Sequence, residues 1–198
     1  MLFIQSMKNS MIEKLSSFIS NLFNPVFSFL FFLLYYAFST MENGEAWLLI
    51  GKAILIFAVP ILGYIYYNVK QGKFTNMDVS NRKQRNSLYY YIIALLLLFI
   101  VVNLIIGKAI PAAFYYLTGL LCAMMLSNFW IKSSMHTALN FFVAALFYQV
   151  SPALGFIWGG LTVIIAITRL ILKRHTLSEV FSGAVIGIIF SIAFVCWN

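Results

Sequence analysis

Charge is what this chain has least of. Only 9% of its 198 residues are charged and five are acidic, whereas 63% are hydrophobic. The mean hydropathy is +0.94. A soluble domain is about a quarter charged and under half apolar, so a water-soluble fold and a disordered chain are both excluded. The 13 basic residues give a net charge of +8, but they lie between long apolar runs, which argues against nucleic acid as a partner. A basic protein with several such runs points to anionic lipid headgroups or phosphate. Cysteine is nearly absent: Cys122 and Cys196 both sit inside apolar runs. There is no disulfide framework and no CxxC pair for a metal. The first 20 residues lack the basic start, clean apolar core and small-residue cleavage site of a removable signal. No internal repeat and no low-complexity segment occurs.

What is present is a series of apolar runs, at about 22–40, 46–67, 88–106, 109–130, 135–150, 152–172 and 178–197. A spanning helix needs roughly 20 mostly apolar residues. The pattern predicts an all-α transmembrane bundle of six to seven spans, one unit over residues 21–198. Residues 1–20 read differently. Ile4, Met7, Met11, Leu15 and Phe18 recur at helical spacing with Lys8, Glu13 and Lys14 between them, which predicts an amphipathic helix on the membrane surface. Pro60 lies inside the second run and predicts a kink there. Pro111 and Pro152 begin the fourth and sixth runs, where a missing N–H costs nothing. Trp47, Trp130 and Trp197 fall at run ends, as in an aromatic belt. Gly155 and Gly159, and Gly183 and Gly187, are each four apart, a spacing that lets helix backbones approach closely.

Seven crossings would place the N-terminus and the loops after runs two, four and six on one face. That face carries 11 of the 13 basic residues, leaving Lys52 and Lys108 opposite. It also carries both histidines, His136 and His175, with Asp78 and Glu179. Three polar segments from distant parts of the chain thus share one side: 75–85, 132–137, and Thr168-Arg169 with His175 and Glu179. Guanidinium forks match phosphate oxygens, and Arg82, Arg85 and Arg169 supply them, with Lys132 beside them. Ser134 and His136 fall where the fifth helix begins, and a helix start favours an anion. A histidine next to a carboxylate is oriented and made more basic, as His175 and Glu179 would be. One histidine can attack phosphorus and a second can protonate the leaving oxygen. This arrangement requires no metal and no cofactor. Plainer roles exist for several of these groups. Thr176 and Glu179 form a capping box. Arg169 could snorkel to the headgroups, which Lys173 and Arg174 also suit. Asp78 could pair with Arg82 four residues on.

These residues resemble the type-2 phosphatidic acid phosphatases, membrane enzymes that share a helical core with vanadium-dependent haloperoxidases. The family's third motif is Ser-Arg, five residues, His, three residues, Asp. Here it reads Thr168-Arg169, five residues, His175, three residues, Glu179. The second motif, Pro-Ser-Gly-His, reads Ser133-Ser134-Met135-His136, so Met135 stands where the family has glycine. The first motif, Lys, six residues, Arg-Pro, is matched by Arg85 alone. Asp78 stands seven positions before it, Asn86 follows it, and Arg82, Lys83 or Lys132 could supply the missing charge. The resemblance covers about 70–185. It implies that His175 is the nucleophile forming a phosphohistidine, that Glu179 holds its other nitrogen, and that His136 protonates the leaving group. Arg85, Arg169 and Arg82 would grip phosphate oxygens, and Ser134 would donate a hydrogen bond.

The function expected is therefore metal-independent hydrolysis of a phosphomonoester or diphosphate of a membrane lipid. The alternative is a family member without the chemistry, acting as a lipid-binding or transport protein. A prenyltransferase holding diphosphate through magnesium would need several clustered carboxylates, and only Asp78 lies in the relevant loop. The chain would reside in a cell membrane, in bacteria the inner one. The basic bias puts the polar face in the cytoplasm, with the outer face as the alternative.

Overall fold

The computed structural model describes the backbone of residues 2–197 and the side chains of residues 10–197. Within that range every regular element is helical: α1 (Leu2–Leu22), α2 (Pro25–Thr40), α3 (Asn43–Ala53), a π-helical turn (Ile54–Ala58), α4 (Val59–Lys70), α5 (Arg82–Ile105), α6 (Ala112–Ser127), α7 (Met135–Val150), α8 (Pro152–Ile171) and α9 (Leu177–Trp197). Each apolar run of the sequence has become helix. By length and apolarity, however, only four helices reach what a membrane crossing needs: Asn43–Lys70, Arg82–Ile105, Pro152–Ile171 and Leu177–Trp197. A fifth is gained if Ser10–Leu22 and Pro25–Thr40, bent by 56°, count as one span. The count from runs, six to seven, is larger because α6 and α7 have only 16 residues each. At 1.5 Å per residue each is about 24 Å long, short of a hydrocarbon core of about 30 Å.

Helix α7 is short for a visible reason: it is the axis of the bundle. His136 to Asn140 and Phe142 to Phe147 are all buried, so protein rather than lipid surrounds most of it. Helices α8 and α9 pack along it, and α2 covers a further side. Tyr89, Ile93 and Leu96 of α5, Leu120, Leu121 and Met124 of α6, and Phe194 of α9 close on Phe142 and Leu146 to form the main core. Asn140, fully buried, ties neighbours to this axis. Its amide donates to the carbonyls of His136 and Phe23, and its oxygen accepts from Trp158 Nε1. The outer shell is apolar: Leu97, Leu98, Val101 and Ile105 on α5, and Phe181, Ile189 and Ile192 on α9, are exposed. That inversion suits a hydrocarbon surround.

Local chemistry accounts for the boundaries. Asn24 caps α2 by accepting from the Val26 N–H, and Pro25 takes the first helical position. Pro60 lacks the N–H that would bond back one turn. A widened π turn stands just before it, inside an otherwise continuous 28-residue helix. Helix α5 begins six residues before its apolar run, because Asn81 caps it by accepting from the Lys83 N–H at 3.0 Å. Arg82, Lys83 and Arg85 therefore stand on the first turn of a helix and not in a loop, as the apolar boundary alone suggested. Among the described side chains of α1 the charged Glu13 and Lys14 are exposed, but two serines face inward. Ser16 and Ser20 are buried, while Met11, Leu15 and Phe18 are exposed. Ile4, Met7 and Lys8 of the expected pattern lie outside the described side chains.

The glycine pairs divide. A Cβ on Gly183 would lie 2.6 Å from the Ser134 carbonyl oxygen, and one on Gly187 the same distance from that of Ala138. These two glycines let α9 lie backbone to backbone on α7. Gly155 meets Tyr148 at 2.5 Å, whereas Gly159 meets nothing within 4 Å among the described residues. We expect Gly187→Ala to lower stability by about 1–3 kcal/mol through overpacking against backbone. Gly159→Ala should leave it unchanged or raise it by up to about 1 kcal/mol. Unfolding of the two variants in detergent checks both; equal effects would mean the α7–α9 contact is not close.

Candidate functional site

The end of α8, the start of α9, the segment before α7 and the first turn of α5 meet at one end of the bundle. After α8 the chain turns through Lys173, whose φ is 52°, and the N–H groups of Arg174 and His175 return to the Arg169 carbonyl. Helix α9 then opens with the expected capping box: the Glu179 N–H donates to Thr176 Oγ1 at 3.3 Å, and Glu179 Oε2 accepts from the Thr176 N–H at 3.1 Å. The same Oε2 lies 2.9 Å from His175 Nδ1. A carboxylate oxygen only accepts, so Nδ1 carries the proton and Nε2 keeps its lone pair. That lone pair faces Arg85 Nη2 at 3.2 Å. Capping and histidine orientation, alternatives in the sequence, are thus one device. Burial, then the charges of Arg85, Arg169 and Lys132, push the His175 ring down to about 2, so it is neutral at ordinary pH.

Arg85 is almost wholly buried. Its remaining nitrogens donate to backbone: Nε to the Val79 carbonyl at 2.9 Å and Nη1 to the Ser133 carbonyl at 3.0 Å. Val79 is itself buried, with φ at 45°, a costly conformation for a β-branched residue. Arg82 has a different role from the one its charge suggested. Its Nε donates to the Asn128 carbonyl at 2.7 Å and an Nη to that of Phe129. It staples α5 to the segment after α6, and Asn128 returns the tie by donating to the Arg82 carbonyl and to Asn86 Oδ1.

Ser134 caps α7, its Oγ accepting from the Thr137 hydroxyl at 3.0 Å. Its own N–H donates to the Glu179 carbonyl at 2.9 Å, joining the second and third polar segments by backbone. Ser133 Oγ lies 2.6 Å from both Ser127 Oγ and Ser182 Oγ. Lys132 stands at the mouth, its Nζ 3.0 Å from the Arg174 carbonyl and 3.6 Å from Glu179 Oε2. A surface depression lined by Arg82, Lys132, Thr176 and Glu179 opens there.

A second cluster lies within electrostatic range, since Arg169 and His136 both act on the His175 ring. Arg169, buried, donates from Nη1 to Ser20 Oγ at 2.6 Å and from Nη2 to Asp78 Oδ2. Asp78 Oδ1 lies 3.9 Å from His136 Nδ1. Partial burial raises the Asp78 carboxyl, but the His136, Arg169 and Arg85 charges outweigh it and hold the group below its ordinary value. All eight residues singled out from the sequence are therefore at this end. His175, Glu179, Arg85 and Lys132 form one network and His136 and Arg169 another, with Ser134 joining segments and Arg82 turned to backbone. Asp78 pairs with Arg169 rather than Arg82, and Ser20 on α1 was not foreseen at all. No sequence signal links positions 149 residues apart. Among the described residues no three His, Cys, Asp or Glu side chains gather as a metal would need.

The neutral His175 carries a signed prediction. Its folded value lies below the ordinary one of about 6.5, so the unfolded chain takes up the proton first. The stability this contributes is complete above about pH 6.5 and is lost as the pH falls towards the folded value. The thermal midpoint of the detergent-solubilised protein should fall between about pH 7 and about pH 5, and fall less in His175→Gln. An equal fall in the variant would assign the proton elsewhere. In comparisons with family models, curated proteins and solved structures, nothing matches this chain.

Proposed function

We propose that this protein is a multi-pass membrane phosphatase acting on lipid phosphates through a phosphohistidine at His175, without a metal. One observation carries the reading: a buried, neutral imidazole held by a carboxylate at Nδ1 has its Nε2 against an arginine fork. Nucleophile, orienting group and phosphate ligand stand in one chain of contacts. An arriving phosphate takes the Arg85 Nη2 donor for its own oxygen, which frees the Nε2 lone pair. Nε2 then attacks phosphorus in line, and the P–O bond to the lipid breaks. His136 gives its proton to the departing oxygen and later draws one from the water that cleaves the P–N bond. The forks of Arg85 and Arg169, with Lys132 at the mouth, stabilise charge on the transferring group. Glu179 stabilises the positive charge that forms on His175.

In this reading the helices cross the bilayer six to seven times, α1 lies along the interface with Met11, Leu15 and Phe18 towards lipid, and the site opens at the headgroup level. Substrates of this class present the same terminal phosphate whether the tail is a diacylglycerol or an isoprenoid. The basic excess beside the site argues for the cytoplasmic face of a cell membrane. A chain lacking Cys122 and Cys196 and carrying Lys73→Cys should resist an impermeant thiol reagent in intact cells; labelling would move the site to the outer face.

The activity test is phosphate release from a panel of lipid monophosphates and diphosphates, by purified protein in detergent with a strong chelator present. We expect release that the chelator spares, that His175→Ala lowers by at least about 10³-fold, and that His136→Ala lowers by about 10²–10⁴-fold. Full activity in His175→Ala would remove the nucleophile assignment. No release from any lipid would favour a lipid-binding or transport protein.

A further inference from the structure

Each cation that phosphate would meet is already matched by an acceptor of the chain itself. Arg85 Nη2 lies on His175 Nε2, and Lys132 lies on the Arg174 carbonyl and Glu179. Arg169 lies on Ser20 and Asp78. Asp78 differs from the other acceptors. Like Glu179 it is a full negative charge, but it faces His136 as well as Arg169, and a phosphate-binding reading does not ask for it.

The loop holds this carboxylate in place by construction. Phe74 and Val79 are buried at its two ends. Asn76 closes the turn, accepting from the Ser80 N–H and donating to Ser80 Oγ. The Val79 carbonyl accepts from Arg85, and a β-branched residue with φ at 45° persists only where its surroundings over-determine it. With the backbone pinned at Val79, the carboxylate leaves by rotation of its side chain, which is one-fifth exposed. Arg169 Nε is buried with no hydrogen-bond partner among the described residues, so the guanidinium can still take a further acceptor.

Resting on the phosphate-site reading, we propose that Asp78 is a product-release residue: its carboxylate takes the place of a phosphate oxygen on Arg169 and competes with inorganic phosphate for it. A cage of buried cations that stabilises a transferring phosphoryl group also retains the free dianion. The lipid substrate has its tail to hold it; inorganic phosphate has only the cations. A tethered carboxylate, always at high local concentration, returns to Arg169 as phosphate loosens and leaves the buried guanidinium paired. It weakens every anion by the same factor, which costs the tail-anchored substrate little occupancy and lets the product go.

The test is phosphate binding, independent of turnover. Titration calorimetry on the full-length protein in detergent at about pH 8, with inorganic phosphate and then orthovanadate as probes, compares wild type with Asp78→Asn. The proposal expects phosphate to bind about tenfold or more tightly in the variant, the worth of one charge-assisted hydrogen bond no longer competed for. Equal or weaker binding in the variant, with clear binding in the wild type, would overturn the proposal and leave the phosphate site standing. No binding of either probe to either protein would overturn both. Asp78→Asn leaves a buried cation uncompensated, so its thermal midpoint is read with and without phosphate. A midpoint that drops and is restored by phosphate supports replacement of one anion by the other. A variant that unfolds equally in both conditions overturns it.

Discussion

The Arg85 guanidinium is the contact on which this end of the molecule depends. It is buried, and its three nitrogens reach the Val79 carbonyl, the Ser133 carbonyl and the His175 ring. Those acceptors belong to the loop before α5, the segment before α7 and the turn before α9. Burying a guanidinium is expensive unless its hydrogen bonds are made, so each acceptor is a condition on where its segment lies. The strained backbone at Val79 follows from meeting that condition. So does the aim of the His175 lone pair. Removing the charge would release three chain segments at once.

The rest of the bundle exists to make such a cluster tolerable beside lipid. Helix α7 supplies an axis buried on most sides, and α9 can reach it because Gly183 and Gly187 present no side chain there. The Ser134 N–H to Glu179 carbonyl bond is possible only at that separation. The site's precision is therefore inherited from two glycines about two and three turns into a helix whose other side faces outward with Phe181, Ile189 and Ile192.

The helical architecture and the shared location of the polar groups were legible in the sequence, because hydropathy marks helices and the order of motifs marks a common end. The start of α5 was not, since its first turn is polar and the apolar run begins only later; the signal that locates it is Asn81 as a cap. The number of crossings was not legible from apolar runs alone, because α7 has only 16 residues and most of them are buried against protein. The tie from Arg169 to Ser20 and Asp78 joins three segments that no local pattern connects. The carboxylate partner of His175 was legible, because the motif sets His175 just before the start of α9 and Glu179 in its first turn, where a capping carboxylate reaches back.

Glu179 Oε2 serves two masters, the Thr176 N–H that opens α9 and the His175 proton. The order of one helical turn and the tautomer of one ring are thereby the same variable. Fraying of the first turn of α9 withdraws the oxygen that keeps the proton on Nδ1, and a ring that turned over would tug at the cap. Thermal motion at this helix end and the readiness of the Nε2 lone pair are thus opposed, the one growing at the expense of the other.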